Sequence, residues 1–173
     1  MPSLRWIGLI LVIVLLDQVT KQLVVSSLEP GRPMVILSSG ALPSVDLVLS
    51  HNKGISFSFL SFADDAQRWP LVALSLLACA LLVWWLSRVP SSQPIQAFGL
   101  ALIIGGALGN MLDRARLGAV IDFVHVSWGA WSFAVFNVAD TAITMGVVAI
   151  LASTFLDTSG VSAESQEPPR HGS

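Results

Sequence analysis

In 173 residues the chain carries 12% charged side chains against 54% hydrophobic ones, about half the charge that a soluble domain uses to coat itself in water. A formal net charge of −2, with the nine basic residues in no run or stripe, leaves no footprint for nucleic acid. One cysteine, Cys79, excludes an internal disulfide and a Cys-rich metal site.

The apolar residues come in long blocks and not at a period of 2.0 or 3.6, and the mean hydropathy is +0.74. That arrangement points to lipid as the solvent. Trp6 to Val25 predicts the first span, about the twenty residues that crossing a bilayer needs. Asp17, Gln18 and Lys21 interrupt it. Asp17 and Lys21 are one helical turn apart, acid first, so they can pair on one face. Either they solvate each other near a helix end or they turn into the bundle and brace a site.

Residues 27–68 are too polar and too broken to span, with Pro30-Gly31 and Pro33 at their start. Short β-prone runs follow at Met34–Leu37, Val45–Leu49 and Ile55–Leu60, the last alternating Ile55, Phe57 and Phe59 with serines. His51-Asn52-Lys53-Gly54 is a turn by composition, and composition favours Asn52 as an ordinary turn residue. These runs predict a small sheet lying on the membrane surface.

Trp69-Pro70 opens a second span to about residue 87, with Trp84-Trp85 near its far end in keeping with interfacial aromatic belts. Cys79 lies inside it as a packing residue. The third span, about 95–113, repeats small residues every fourth position at Ala101, Gly105 and Gly109, a stripe on which another helix can lie close. Asn110, Asp113 and Arg114 crowd its end. A capping cluster with an Asp113–Arg114 contact would account for two of them, and for Asn110 less well.

Residues 115–135 form a second polar connection. From Val120 to Val126 the alternation is that of a strand, and Asp122 is the single charge on an otherwise aliphatic face, a residue type that strands disfavour. His125 lies on the other face and reads as an interfacial histidine. The fourth span, about 136–156, starts with Asn137 and Asp140 on one face. Asn137 suits a helix cap, whereas Asp140 lies about a turn inside. Residues 157–173, rich in Ser, Glu and Pro, predict a disordered tail.

Carboxylates beside apolar runs of this length cost about 2.5–3.5 kcal/mol each at a bilayer centre and call for a function. No His-Glu-x-x-His helix, Gly-x-Ser-x-Gly elbow or phosphate-binding Gly loop is present. A Ser–Lys pair remains open, since Lys53 and Ser56 share a loop, but nothing marks that serine; paired carboxylates are what the sequence offers. Two of them close together cannot both ionise, so they share one proton and activate water without a cofactor or metal. Asp122 and Asp140 are the expected pair.

These residues resemble the bacterial lipoprotein signal peptidase family, signal peptidase II, integral membrane aspartic peptidases. The match spans nearly the whole chain: Asp17-Gln18-x-x-Lys21, Asn52-x-Gly54 with Phe57, Gly105-Gly106-Ala107-x-Gly109-Asn110-x-x-Asp113-Arg114, Val120-x-Asp122-Phe123 and Phe136-Asn137-x-Ala139-Asp140. One departure is Ile55, where the family usually continues with a small residue after Gly54. The resemblance implies a four-transmembrane-helix bundle with a small extracytoplasmic β-sheet in one domain, residues 1–156, ahead of a cytoplasmic tail. It implies a bacterial inner-membrane protein with both termini cytoplasmic and the site near the periplasmic leaflet. Asp122 and Asp140 would be catalytic. Asn52, Gly54, Asn110, Arg114, Asn137 and Ala139 would line or support the site, and Asp17, Lys21 and Asp113 would brace it. Substrates would be prolipoproteins carrying diacylglyceryl on a cysteine, cut just before that cysteine, and globomycin-type cyclic peptides would inhibit; a monomer is expected. Two other classes remain: a proton-coupled transporter or channel with carboxylates strung along a pathway, and a structural subunit whose polar residues only join helices.

Overall fold

The computed structural model describes residues 4–38, 42–54 and 68–164. Four helices long and apolar enough to cross a membrane are present: α1 (Leu4–Ser27), α2 (Arg68–Leu86), α3 (Pro94–Leu117) and α4 (Val138–Glu164). Between them lie β1 (Met34–Leu37), β2 (Ser44–Asn52), β3 (Val120–Trp128) and β4 (Trp131–Ser132), which pair antiparallel in the order β1-β2-β3-β4.

α3 is the axis of the bundle. It packs against the other three helices and is 56% buried over its apolar window, where the others are 11–22% buried and turn leucines such as Leu11, Leu15 and Leu74 outward. Lipid tails are as apolar as leucine, so helices in a bilayer associate through close backbone approach and polar contacts. The expected small-residue stripe does this work toward α1. A Cβ on Gly105 would fall 2.8 Å from Ile13 Cβ, and one on Gly109 would fall 2.6 Å from Asp17 Oδ2. A second set that the four-residue spacing does not pick out, Gly99 and Gly106, faces α4, where a Cβ on Gly99 would fall 2.7 Å from the carbonyl of Gly146.

Pro94 stands at the start of α3, where its missing N–H costs no helical bond. Gly118 ends the helix in the left-handed region (φ 73°), its N–H bonded to the Arg114 carbonyl at 3.0 Å. The chain thus leaves the bundle directly into β3, and Val24, Leu28 and Phe123 seal the joint with Leu47, Leu49 and Val138 packed around them.

Several boundaries move. β2 continues through His51 and Asn52, because both still face partners on β3, Ile121 and Val120; the turn expected there begins only at Lys53. α3 runs to Leu117 and not to 113, since no Gly or Pro intervenes before Gly118. α4 begins at Val138 and continues to Glu164, past the tail boundary expected at 156. No proline occurs before Pro168, and an established helix adds one hydrogen bond for each residue it fixes. The run Ile55–Leu60 and residues 165–173 lie outside the described residues.

Candidate active site

Where α3 ends, β3 begins and α4 starts, three asparagines and two aspartates form one hydrogen-bonded cluster. Asp122, on β3, is 2% exposed. Its Oδ1 accepts from Asn137 Nδ2 at 2.7 Å and its Oδ2 from Asn52 Nδ2 at 2.9 Å. Asp140, on the first turn of α4, accepts from Asn110 Nδ2 at 2.8 Å through Oδ1 and from the Asn137 backbone N–H at 3.3 Å through Oδ2. Burial pushes the Asp122 carboxyl above the usual carboxylate range. Hydrogen bonding from Asn52 and Asn137 and the charge of Lys21 oppose that rise, and the neighbouring Asp140 adds to it.

Asn137 and Asp140 close a reciprocal cap. Asn137 Oδ1 accepts the Asp140 N–H at 2.9 Å while the Asp140 carboxylate takes the Asn137 N–H, satisfying donors that a helix start leaves unpaired. The remaining arm of Asn137, its Nδ2, reaches Asp122. Cap and bridge are therefore one side chain. Asn52 repeats the pattern: Oδ1 accepts the Gly54 N–H at 2.8 Å, an Asx turn, while Nδ2 holds Asp122. It is a turn residue and a site residue at once.

Behind the cluster lies a buried ionic group. Lys21 Nζ is 2.8 Å from Asp17 Oδ2 and 2.7 Å from Asp113 Oδ2, with all three side chains at most 4% exposed. It also donates to Asn110 Oδ1 at 3.0 Å. Asp17 Oδ1 accepts the Ala139 N–H at 2.9 Å, and Asp113 Oδ2 accepts the Ile121 N–H at 3.2 Å. Gln18, an interruption of the first span and a motif position to which the sequence reading assigns no role, donates to Asp113 Oδ1 at 2.8 Å. Of the two readings of Asp17 and Lys21, the structure has them turned into the bundle. Asp17 and Asp113 flank one lysine and do not string along a path to Asp140.

The Asp113–Arg114 contact of the capping-cluster alternative does not form: Asp113 pairs with Lys21 instead. Successive helical positions are about 100° apart, so Asp113 faces Lys21 while Arg114 faces a cleft of about 580 Å³ lined by Asn52, Lys53, Gly54, Arg114, Asp122 and Val135. Arg114 Nε is buried without a hydrogen-bond partner among the described residues. Gly54, at φ 86°, lies against the guanidinium, and a Cβ there would sit 3.5 Å from Arg114 Nη2 and 3.2 Å from Leu71 Cδ1. Ala139 is fully buried and serves through its N–H to Asp17 and its carbonyl, which abuts Gly106.

Two further residues complete the surroundings. Arg68, which the sequence reading passes over, bonds the Ala115 carbonyl and ties the start of α2 to the end of α3. His125 faces away from the cluster: its Nε2 shares a hydrogen bond with Ser132 Oγ at 2.8 Å and its Nδ1 lies 3.5 Å from Asp46 Oδ2. Among the described residues, no three His, Cys, Asp or Glu side chains gather in a way that could hold a metal ion.

Comparison with known proteins adds to this geometry. A family model described as signal peptidase (SPase) II matches residues 9–156. Lipoprotein signal peptidases from Acinetobacter baumannii and Hydrogenovibrio crunogenus are each 41% identical, over 153 and 150 residues, covering 88% and 87% of this chain and 84% and 83% of theirs. The lipoprotein signal peptidase of Polynucleobacter necessarius is 36% identical over 162 residues, 94% of this chain and 96% of its own. A solved structure described as a bacterial membrane enzyme at 2.3 Å resolution shares the fold, with a TM-score of 0.75 at 23% identity over 97% of this chain and 94% of that one.

Proposed function

The chain belongs to the signal peptidase II family, and from that premise we propose that it cuts signal peptides from diacylglyceryl-modified prolipoproteins, immediately before the lipidated cysteine, with Asp122 and Asp140 as its catalytic dyad. The observation that carries the assignment is that these two carboxylates, from a strand and a helix separated in sequence, enter one asparagine network, with Asp122 lining a polar cleft.

The chemistry follows from one shared proton. The ionised member of the pair takes a proton from a water held between them while the protonated member donates to the scissile carbonyl oxygen. Water oxygen adds to the carbonyl carbon, the tetrahedral intermediate collapses, and the C–N bond breaks. The signal peptide leaves with a new carboxyl group and the lipidated cysteine with a free α-amine, protonated by the dyad. The titration belongs to the pair as a unit. Arg114 lines the same cleft as Asp122, and its guanidinium would donate to carbonyl oxygens of the substrate there. A globomycin-type cyclic peptide would occupy the same cleft. The working unit is proposed to be a monomer.

Four helices long and apolar enough to cross a membrane among the described residues support a placement of both ends on one side. The proposed orientation has them in the cytoplasm and the site at the periplasmic leaflet, where the exposed Trp128 and Trp131 of the β3–β4 turn suit an interface.

The test is cleavage of a diacylglyceryl-modified prolipoprotein by the purified chain in detergent, with Asp122→Asn and Asp140→Asn alongside. Wild type is expected to cut, and each folded variant to lose more than about 1,000-fold in kcat, as when a dyad member is removed. A variant with near wild-type turnover would remove that aspartate from the mechanism.

A further inference from the structure

The two aspartates of the proposed dyad are held in the same unusual way. The residue immediately before each of them, Ile121 before Asp122 and Ala139 before Asp140, gives its backbone N–H to a buried carboxylate: Ile121 to Asp113 at 3.2 Å and Ala139 to Asp17 at 2.9 Å. Both carboxylates are ion-paired to one ammonium, that of Lys21. The same ammonium reaches the dyad by a third route. It donates to Asn110 Oδ1 at 3.0 Å, which turns the amide so that Nδ2 faces Asp140 Oδ1 at 2.8 Å. Three contacts from a single atom thus set two backbone positions and one side chain of the site.

We infer that Lys21 is the positioning residue of this site: its ammonium registers β3 against α4 through Asp113 and Asp17 and orients Asn110 toward Asp140. The inference rests on the peptidase reading above. A lone counter-ion would need only to neutralise two acids. Here its contacts, with side chains at most 4% exposed, end on the residue before each aspartate and on the asparagine bound to one of them. Charged groups from the elements packed around Lys21 are few. Asp17 lies on its own helix and Asp113 on α3, and Asp122 on β3 and Asp140 on α4 lie beyond Asn110 and Asn137. Arg116 engages Gln18, Arg114 lies against Gly54, and His125 is occupied by Asp46 and Ser132. Nothing else supplies positive charge to this group among the described residues.

Lys21→Met removes charge and donor together and leaves two acids facing each other. Lys21→Met/Asp17→Asn/Asp113→Asn removes the charge imbalance, and its asparagine Oδ1 atoms still accept the Ile121 and Ala139 N–H groups, but Asn110 has lost its anchor. Kinetics with diacylglyceryl-modified prolipoprotein, thermal unfolding in detergent and the pH profile of kcat/KM are read for both. The expected result for the triple variant is unfolding close to wild type with kcat reduced about 100-fold and KM within about threefold, as a misplacement of about 1 Å produces. For Lys21→Met, the acid limb of the profile is expected at higher pH, because the charge that opposes protonation of Asp122 is gone. Wild-type kcat in the triple variant would reduce Lys21 to a counter-ion and overturn the inference, as would an unshifted profile with full kcat in Lys21→Met. Activity surviving in Asp122→Asn would instead remove that aspartate from the mechanism, and failure of the wild-type chain to cut the prolipoprotein would overturn the peptidase reading itself, so these failures are separate from that of the inference.

Discussion

At the residue scale, three asparagines each use both ends of a carboxamide. Each uses Oδ1 to accept from a fixed donor, the Gly54 N–H for Asn52, Lys21 for Asn110 and the Asp140 N–H for Asn137, and each then presents Nδ2 to a carboxylate. An amide has one end of each kind, so fixing the acceptor end aims the donor end. An aspartate has no donor end when ionised. Asn52→Asp should therefore put a second negative charge against the singly ionised pair and cost more in kcat/KM than Asn52→Ala, which loses the bond to Asp122, about 1.5–3 kcal/mol, together with the acceptor of the Gly54 N–H. Equal effects of the two changes would show that the amide's polarity is immaterial. Asp122 also carries a stability consequence. Its carboxyl lies above its ordinary value in the folded chain, so between the unfolded and folded values the native state binds more protons. Stability should fall as pH rises through that window, just above the usual carboxylate range. Asp122→Asn should flatten this slope, and unfolding temperatures at pH 4 to 7 for both proteins would show it.

At the scale of elements, the close approach of α1 to α3 decides whether the site assembles. A methyl at Gly109 would meet Asp17 Oδ2 at 2.6 Å, and Asp17 cannot retreat without releasing Ala139 or Lys21. Gly109→Ala is expected to lower the unfolding temperature and cut kcat at least tenfold. Gly8→Ala, in the same bilayer but with open space around it, should leave turnover intact and stabilise by about 0.5–1 kcal/mol, the ordinary gain of alanine over glycine within a helix. If both changes behave alike, the contact is not what constrains position 109. Much at this scale could be read from the chain: four apolar blocks, the strand at 34–37, the alternation from Val120, and the stripe at Ala101, Gly105 and Gly109. What escaped was set by partners distant in sequence. β2 reaches Asn52 only because β3 pairs with it, and the second glycine face of α3 has meaning only once α4 lies on it.

For the whole molecule, orientation is the property least visible in the chain. Arg68 and Arg116 contact Ala115 and Gln18, and Arg114 faces the cleft, so they say little about which side is cytoplasmic. A reporter fused after Glu164 is expected to be active only as a cytoplasmic fusion, and activity on the periplasmic side would invert the proposed placement. The candidate site was legible to a different depth. Asp122 and Asp140 could be singled out as carboxylates out of place, and the five ordered motifs named a family resemblance. Spacing alone could say that Asp17 and Lys21 face the same way, but not which way, because the rotation of α1 is fixed by glycines on another helix. Gln18 showed in the chain only as a polar interruption and a motif position, and Arg68 carried no signal; only the folded chain shows the carboxylate and the carbonyl they serve.

The buried lysine group joins the first helix to the last, since Asp17 on α1 takes the N–H of Ala139 on α4. During synthesis α1 enters the bilayer long before α4 has left the ribosome. Until that final helix arrives, Asp140 is absent and Asp17 has no backbone to hold. With Asp140 as half of the proposed dyad, a protease made in this order would be inert while its own segments, apolar and membrane-borne like the peptides it is proposed to cut, are still being threaded past one another.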